Sequence, residues 1–150
     1  MANEEVIHYR IVNVDVISKS MAQRPAGDNI EKYFFDLQFQ IKVLAENKIV
    51  IPIVSIKIRG EENEKKELAS IEIACLFEVI DFEKFILMND KGVYIIPPIL
   101  ESAITPIAIS TSRGVMYSEF RGTHLNNAIL PVIMMNSLKK NESENVKEKK

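Results

Sequence analysis

The 150-residue chain reads as an α+β domain, a four-stranded antiparallel sheet covered by one long helix. Two observations predict this. Four segments carry apolar residues at the two-residue repeat of strands, joined by short polar or charged links. One later segment carries them at helical spacing behind a pair of prolines.

Taken in order, "HYRIVNVDVIS" (8–18) gives a first strand, with Val12, Val14 and Val16 opposite Asn13 and Asp15. The stretch "AQRPAGDN" (22–29) is a turn or crossover loop. Alternation is cleanest in "YFFDLQFQIKV" (33–43): Phe35, Leu37, Phe39, Ile41 and Val43 face one way, Asp36, Gln38, Gln40 and Lys42 the other. "IVIPIVSIKIR" (49–59) follows, and its Pro52 suggests an edge, a bulge or a strand start, because proline cannot donate to a ladder. After the charged turn "GEENEKKE", residues 68–80 form a fourth strand with Ala69, Ile71, Ile73, Cys75, Phe77 and Val79 on one face.

The sheet's apolar face needs cover, and "PPILESAITPIAISTSR" (97–113) supplies it. Prolines fit a first helical turn, Glu101 suits the positive end of the helix dipole, and Gly114 is a natural stop. The helix is expected over 98–112. Its outer face is mostly Ser and Thr with apolar residues among them, so a sheet on one side and a second subunit on the other is expected. Ile99, Ala103, Ile107 and Ile109 are the candidate subunit contacts.

Composition excludes several classes. A net charge of −2 leaves no broad basic surface for nucleic acid. The start "MANEEVIHYR" is acidic where a secretory leader is basic, and one cysteine, Cys75, fits a reducing compartment, so a cytoplasmic location is expected. The apolar run "AILPVIMM" (128–135) is far too short to span a membrane. His8 and His124 have no carboxylate or cysteine at ligand spacing, so neither a metal nor another cofactor is expected. Cys75 lies on an apolar strand face without a basic neighbour and reads as core. Glu72 and Glu78 stand six residues apart on a wet strand face, roughly 20 Å, too far for a paired acid and base. Five glycines form no phosphate loop. No catalytic residue can be named, and the chain is not expected to be an enzyme.

Several short motifs carry a resemblance. "IACLFEV" (73–79) resembles a strand end, "IIPPILESAI" (95–104) a helix entry, "TSRG" (111–114) a helix end and "AILPVIMM" a following segment of the SecB family of protein-export chaperones. The likeness covers roughly residues 8–138; residues 1–138 are taken as one domain, with 139–150 as a flexible charged tail.

The resemblance implies a groove holding unfolded clients in extended form, with the loop after the helix as one wall. Here that loop is "VMYSEFRGTHLNNAILPVIMM", and its apolar positions are Val115, Met116, Tyr117, Phe120, Leu125, Ile129, Leu130, Val132, Met134 and Met135. Taken singly, each reads first as core; taken together, a contiguous Met-rich set interrupted by Pro131 reads as a binding wall, since methionine and aromatic side chains repack around many sequences. The resemblance also implies a homotetramer, a dimer of dimers.

Docking of the family to the SecA motor uses acids on the outer sheet. Asp15 matches one, whereas Lys19 and Ser70 stand where others are expected. The family's tail is acidic; here 139–150 holds five Lys and three Glu. Holding of non-native polypeptides is therefore expected, with SecA docking weakened. The alternatives are a SecB-like chaperone dedicated to a toxin–antitoxin system and a sheet-and-helix protein binding one apolar ligand or partner.

Overall fold

The structure is a computed structural model, and it describes residues 6–23, 32–60 and 67–132. Most of the 22–29 loop, all but the ends of the 60–67 turn, and residues 133–150 lie outside the described residues. Four long strands form one antiparallel sheet: β1 (Tyr9–Met21), β2 (Phe34–Leu44), β3 (Ile49–Arg59) and β4 (Glu67–Val79). Their spatial order is β1-β4-β3-β2, so the first two strands in sequence are the two edges.

Register assigns the faces. Phe35 pairs with Ile58, Leu37 with Ile56 and Phe39 with Val54. Val54 in turn pairs with Ile73, and Val50 with Phe77. Directly opposed residues share a face, so the odd positions of β2 and β4 and the even positions of β3 make one continuous apolar surface. That is the alternation legible in the sequence.

Pro52 is a correction. It lies in β3, a central strand, and is buried. The ladder to β4 is broken there, running from Val50↔Phe77 to Ile53↔Ala74. A missing N–H therefore costs little at that point.

The long helix α2 (Pro98–Glu119) packs on β3 and β4. It buries Leu100, Ile104, Thr105, Ala108, Ile109, Ser112 and Met116. Proline at its first position needs no N–H partner there. Pro106 sits on the exposed side, so the carbonyl it leaves without a backbone donor faces water. The expected stop at Gly114 is also corrected: the helix continues to Glu119 and ends at Phe120. Fully buried Met116 anchors the extra turns in the core, and Gly114 stays within the helix. The left-handed residue of the true exit is Gly122 (φ 80), whose N–H donates to Asn126 Oδ1 at 3.1 Å.

Between β4 and α2 lie a short helix α1 (Phe82–Phe85) and a two-stranded ribbon, β5 (Leu87–Met88) with β6 (Tyr94–Ile95). Its tip is held by Asn89, whose side-chain oxygen accepts from Lys91 N and Val93 N at 2.9 and 3.0 Å. Gly92 takes a left-handed φ of 77 there. Phe82 and Tyr94 meet edge to face with 6.2 Å between ring centroids, tying the ribbon to the core.

Candidate functional site

One helix is narrower than four strands. α2 lies over the two central strands, which leaves the helix-side faces of both edge strands incompletely covered. On β2 the row Phe35, Leu37, Phe39, Ile41 and Val43 is only half-buried along its whole length. On β1, Ile11, Val16 and Met21 share registers with buried Phe77, Ile73 and Ala69, yet all three are exposed. The helix itself presents Ile99, Ile107 and Tyr117 outward, Ile99 at 67% exposure.

The chain after α2 turns back along the helix as a strap. Tyr33, just ahead of β2, donates its hydroxyl to the carbonyl of His124 at 3.2 Å. Arg113 of α2 donates Nε to the carbonyl of Leu130 at 2.8 Å and Nη2 to that of Pro131 at 3.0 Å. Locally, Thr123 Oγ1 donates to Phe120 O at 2.6 Å and accepts from Leu125 N at 3.1 Å.

This arrangement divides the ten expected wall residues. Met116, Phe120, Leu125 and Leu130 are core, none more than 2% exposed. A binding wall would leave Phe120 and Leu130 partly exposed; instead the strap folds inward over the end of the helix, and all four side chains join one cluster with β2, β3 and β4, the core reading that each carries when taken singly. Val115 is half-buried against that cluster. Tyr117, Ile129 and Val132 are exposed, Val132 at 89%. Met134 and Met135 lie outside the described residues.

The expected subunit contacts divide too. Ile99 and Ile107 are exposed and Ala103 is half-buried, whereas Ile109 is buried within its own chain at 4%. Its neighbours at Ala108 and Ser112 are buried as well, so the inner stripe of the helix is wider than the sequence pattern suggests.

On the opposite face of the sheet, Asp15 is exposed and accepts from Asn13 Nδ2 at 2.9 Å. Ser70 shares this face, with its hydroxyl 2.7 Å from that of Ser20. Lys19 does not. The β1–β4 register shifts between Val16 and Ser18, which places Lys19 opposite Ile71 on the helix side. There it pairs with Glu119 of α2 at 2.9 Å. Four residues along an unbulged strand would have kept Asp15 and Lys19 together, so this expectation is corrected.

Other titratable groups are engaged or isolated. Glu78 pairs with Arg10 at 3.3 Å, and Glu72 lies 3.5 Å from the Ser18 hydroxyl. Burial pushes the Cys75 thiol above its ordinary value of 9.0. Among the described residues His124 Nε2 is buried without a partner, and no three His, Cys, Asp or Glu are placed to hold a metal ion. No helix of the described residues is long and apolar enough to cross a membrane.

The ribbon was not read from the sequence, although "NDKG" (89–92) carried a turn signal. Its Leu87, Met88, Val93 and Ile95 are all exposed.

No protein-family model matches the chain, and no curated protein matches it. Among solved structures, the SecB-like chaperone Rv1957 of Mycobacterium tuberculosis, in complex with a ChAD peptide from the Rv1956 HigA1 antitoxin, is similar over 83% of this chain and 90% of its own. The identity is 17% and the TM-score 0.44. At that identity and score the likeness carries no residue over to the present chain.

Proposed function

We propose that the chain is a cytoplasmic polypeptide-holding chaperone, which takes non-native chains in extended form on the apolar surface beside α2. The observation that supports this best is the half-covered row Phe35, Leu37, Phe39, Ile41 and Val43. Eight residue steps along a strand make a strip of roughly 26 Å, and its two-residue repeat matches that of an extended guest. Exposed Tyr117, Ile129 and Val132, with half-buried Val115, extend the apolar surface at the strap. A non-polar strip of this length without a fixed polar anchor suits many sequences better than one ligand.

The proposal includes self-association. The helix residues Ile99 and Ile107 are exposed, with half-buried Ala103 between them, and Ile11, Val16 and Met21 of β1 are exposed as well. A second copy packing on these apolar residues would withdraw them from water, and closed symmetric assembly is the usual outcome for such a patch. A dimer of dimers is the expected form.

The holding reading is tested by aggregation suppression with a chemically unfolded client, beside a mass measurement of the complex. Suppression by an oligomer that carries client supports it. A chain that leaves aggregation unchanged, or binds only one small apolar compound in an enclosed site, overturns it.

A further inference from the structure

The strap has the features of a guest held by its own host. From Ala128 to Leu130 its side chains alternate buried, exposed, buried, the pattern that an extended chain makes along a groove. It pairs with no strand of the sheet. The body holds it chiefly by backbone carbonyls, from Tyr33 at one point and Arg113 at two. Backbone carbonyls occur in every polypeptide, so these donors are indifferent to sequence. The side chains it inserts, Leu125, Ala128 and Leu130, are small to medium aliphatics fully withdrawn from water.

We propose that residues 121–132 occupy part of the polypeptide site in cis, and that an extended client with alternating apolar residues displaces them. Arg113 then passes from strap carbonyls to client carbonyls, Tyr33 gives up its strap contact, and the client's apolar side chains take the places of Leu125 and Leu130. This rests on the holding function proposed above and adds its regulation: the closed strap keeps the site covered until a client competes for it. The apparent affinity is the intrinsic affinity reduced by the fraction of molecules with the strap open. Loosening the strap's own pins should therefore tighten client binding, unless the pins matter more to the client than to the strap. Tyr33 separates these effects, because its contact at His124 lies away from the alternating segment.

The experiment measures two quantities on the full chain, using reduced, carboxymethylated α-lactalbumin as the unfolded probe. One is probe affinity for the parent, Tyr33→Phe and Arg113→Gln proteins. The other is amide hydrogen exchange at Leu125, Asn126 and Ala128 of the parent, with and without probe. Displacement requires these amides to exchange faster when the probe binds, and Tyr33→Phe to bind about tenfold more tightly, the factor expected for losing one well-formed hydrogen bond. If the parent binds the probe while these amides keep or gain protection, the strap inference is overturned and the holding function stands. If neither the parent nor either variant binds the probe, both fall. Should Arg113→Gln fail to fold, the parent exchange data and Tyr33→Phe decide the question alone.

Discussion

Arg113 and Leu130 are joined by a 2.8 Å hydrogen bond that runs from a helix side chain to a backbone carbonyl seventeen residues later. This bond turns the oily segment after the helix inward. Leu130 then lies at 2% exposure in the same cluster as Phe120 and Leu125.

Truncation within that cluster should therefore be expensive. Phe120→Ala is expected to lower unfolding free energy by about 3–5 kcal/mol and Leu130→Ala by about 2–5 kcal/mol, the range for large-to-small changes in a core. Ile129→Ala, one residue away and exposed, should change it by roughly 0.5 kcal/mol or less. Denaturant titration at fixed protein concentration checks the contrast. Similar small effects at all three positions would mean that the strap does not pack as described.

Ser112 offers a change in the opposite direction. Its hydroxyl is buried in the inner stripe of α2 with no hydrogen-bond partner among the described residues. An unsatisfied buried hydroxyl costs about 1–3 kcal/mol, and alanine removes it while keeping the helix. Ser112→Ala should raise the melting temperature by a few degrees. A lower melting temperature would show that the hydroxyl has a partner in the assembled protein.

Cys75 should be silent to thiol reagents in the folded state. It is fully buried, and burial raises its pKa because the thiolate loses its hydration. The folded state favours the protonated thiol, so this group's contribution to stability is present below the ordinary value of 9.0 and is lost as pH rises through the higher folded value. Reaction with a disulfide reagent should follow global unfolding across added denaturant. Rapid labelling of the native protein would contradict this placement.

How much of this was legible in the sequence depends on where neighbours enter. The faces of β2 and β4 could be read because their alternation is unbroken from Phe35 to Val43 and from Ala69 to Val79. The placement of Lys19 could not, because the second of two register shifts in β1, between Val16 and Ser18, reverses the face of every residue beyond it and leaves no mark in composition. Gly114 resembles a stop until Met116 is known to be buried. Similarly, Phe120, Leu125 and Leu130 carry the same apolar signal whether they line a groove or fill a core. Only the inward path of the strap, set by Tyr33 and Arg113, separates the two.

Self-association should depend on the outward side of α2. Ile107→Glu, or Ile99→Glu, is expected to reduce the mass of the complex without unfolding the chain, because both side chains are exposed in the single subunit. Ile109→Glu would be a poor probe, since a buried charge there would damage the fold itself. A monomeric parent at micromolar concentration would contradict the proposed assembly.

Docking to a SecA motor should be weak. Asp15 stands on the open sheet face without Lys19 beside it, and Ser70 there carries no charge. Lost charges chiefly reduce steering and specificity in such contacts. Tight, salt-sensitive binding of SecA by the unmodified protein would contradict the expectation.

The central claim is that the surface beside α2 holds unfolded polypeptide, and titration calorimetry with paired forms of one client tests it most directly. Reduced, carboxymethylated α-lactalbumin should bind with a negative heat-capacity change, the mark of apolar burial, while native α-lactalbumin should not bind. Replacing Phe39 and Ile41 by Ser is expected to weaken that binding. Absence of binding by the parent protein, or equal binding of the native and unfolded forms, would contradict the claim.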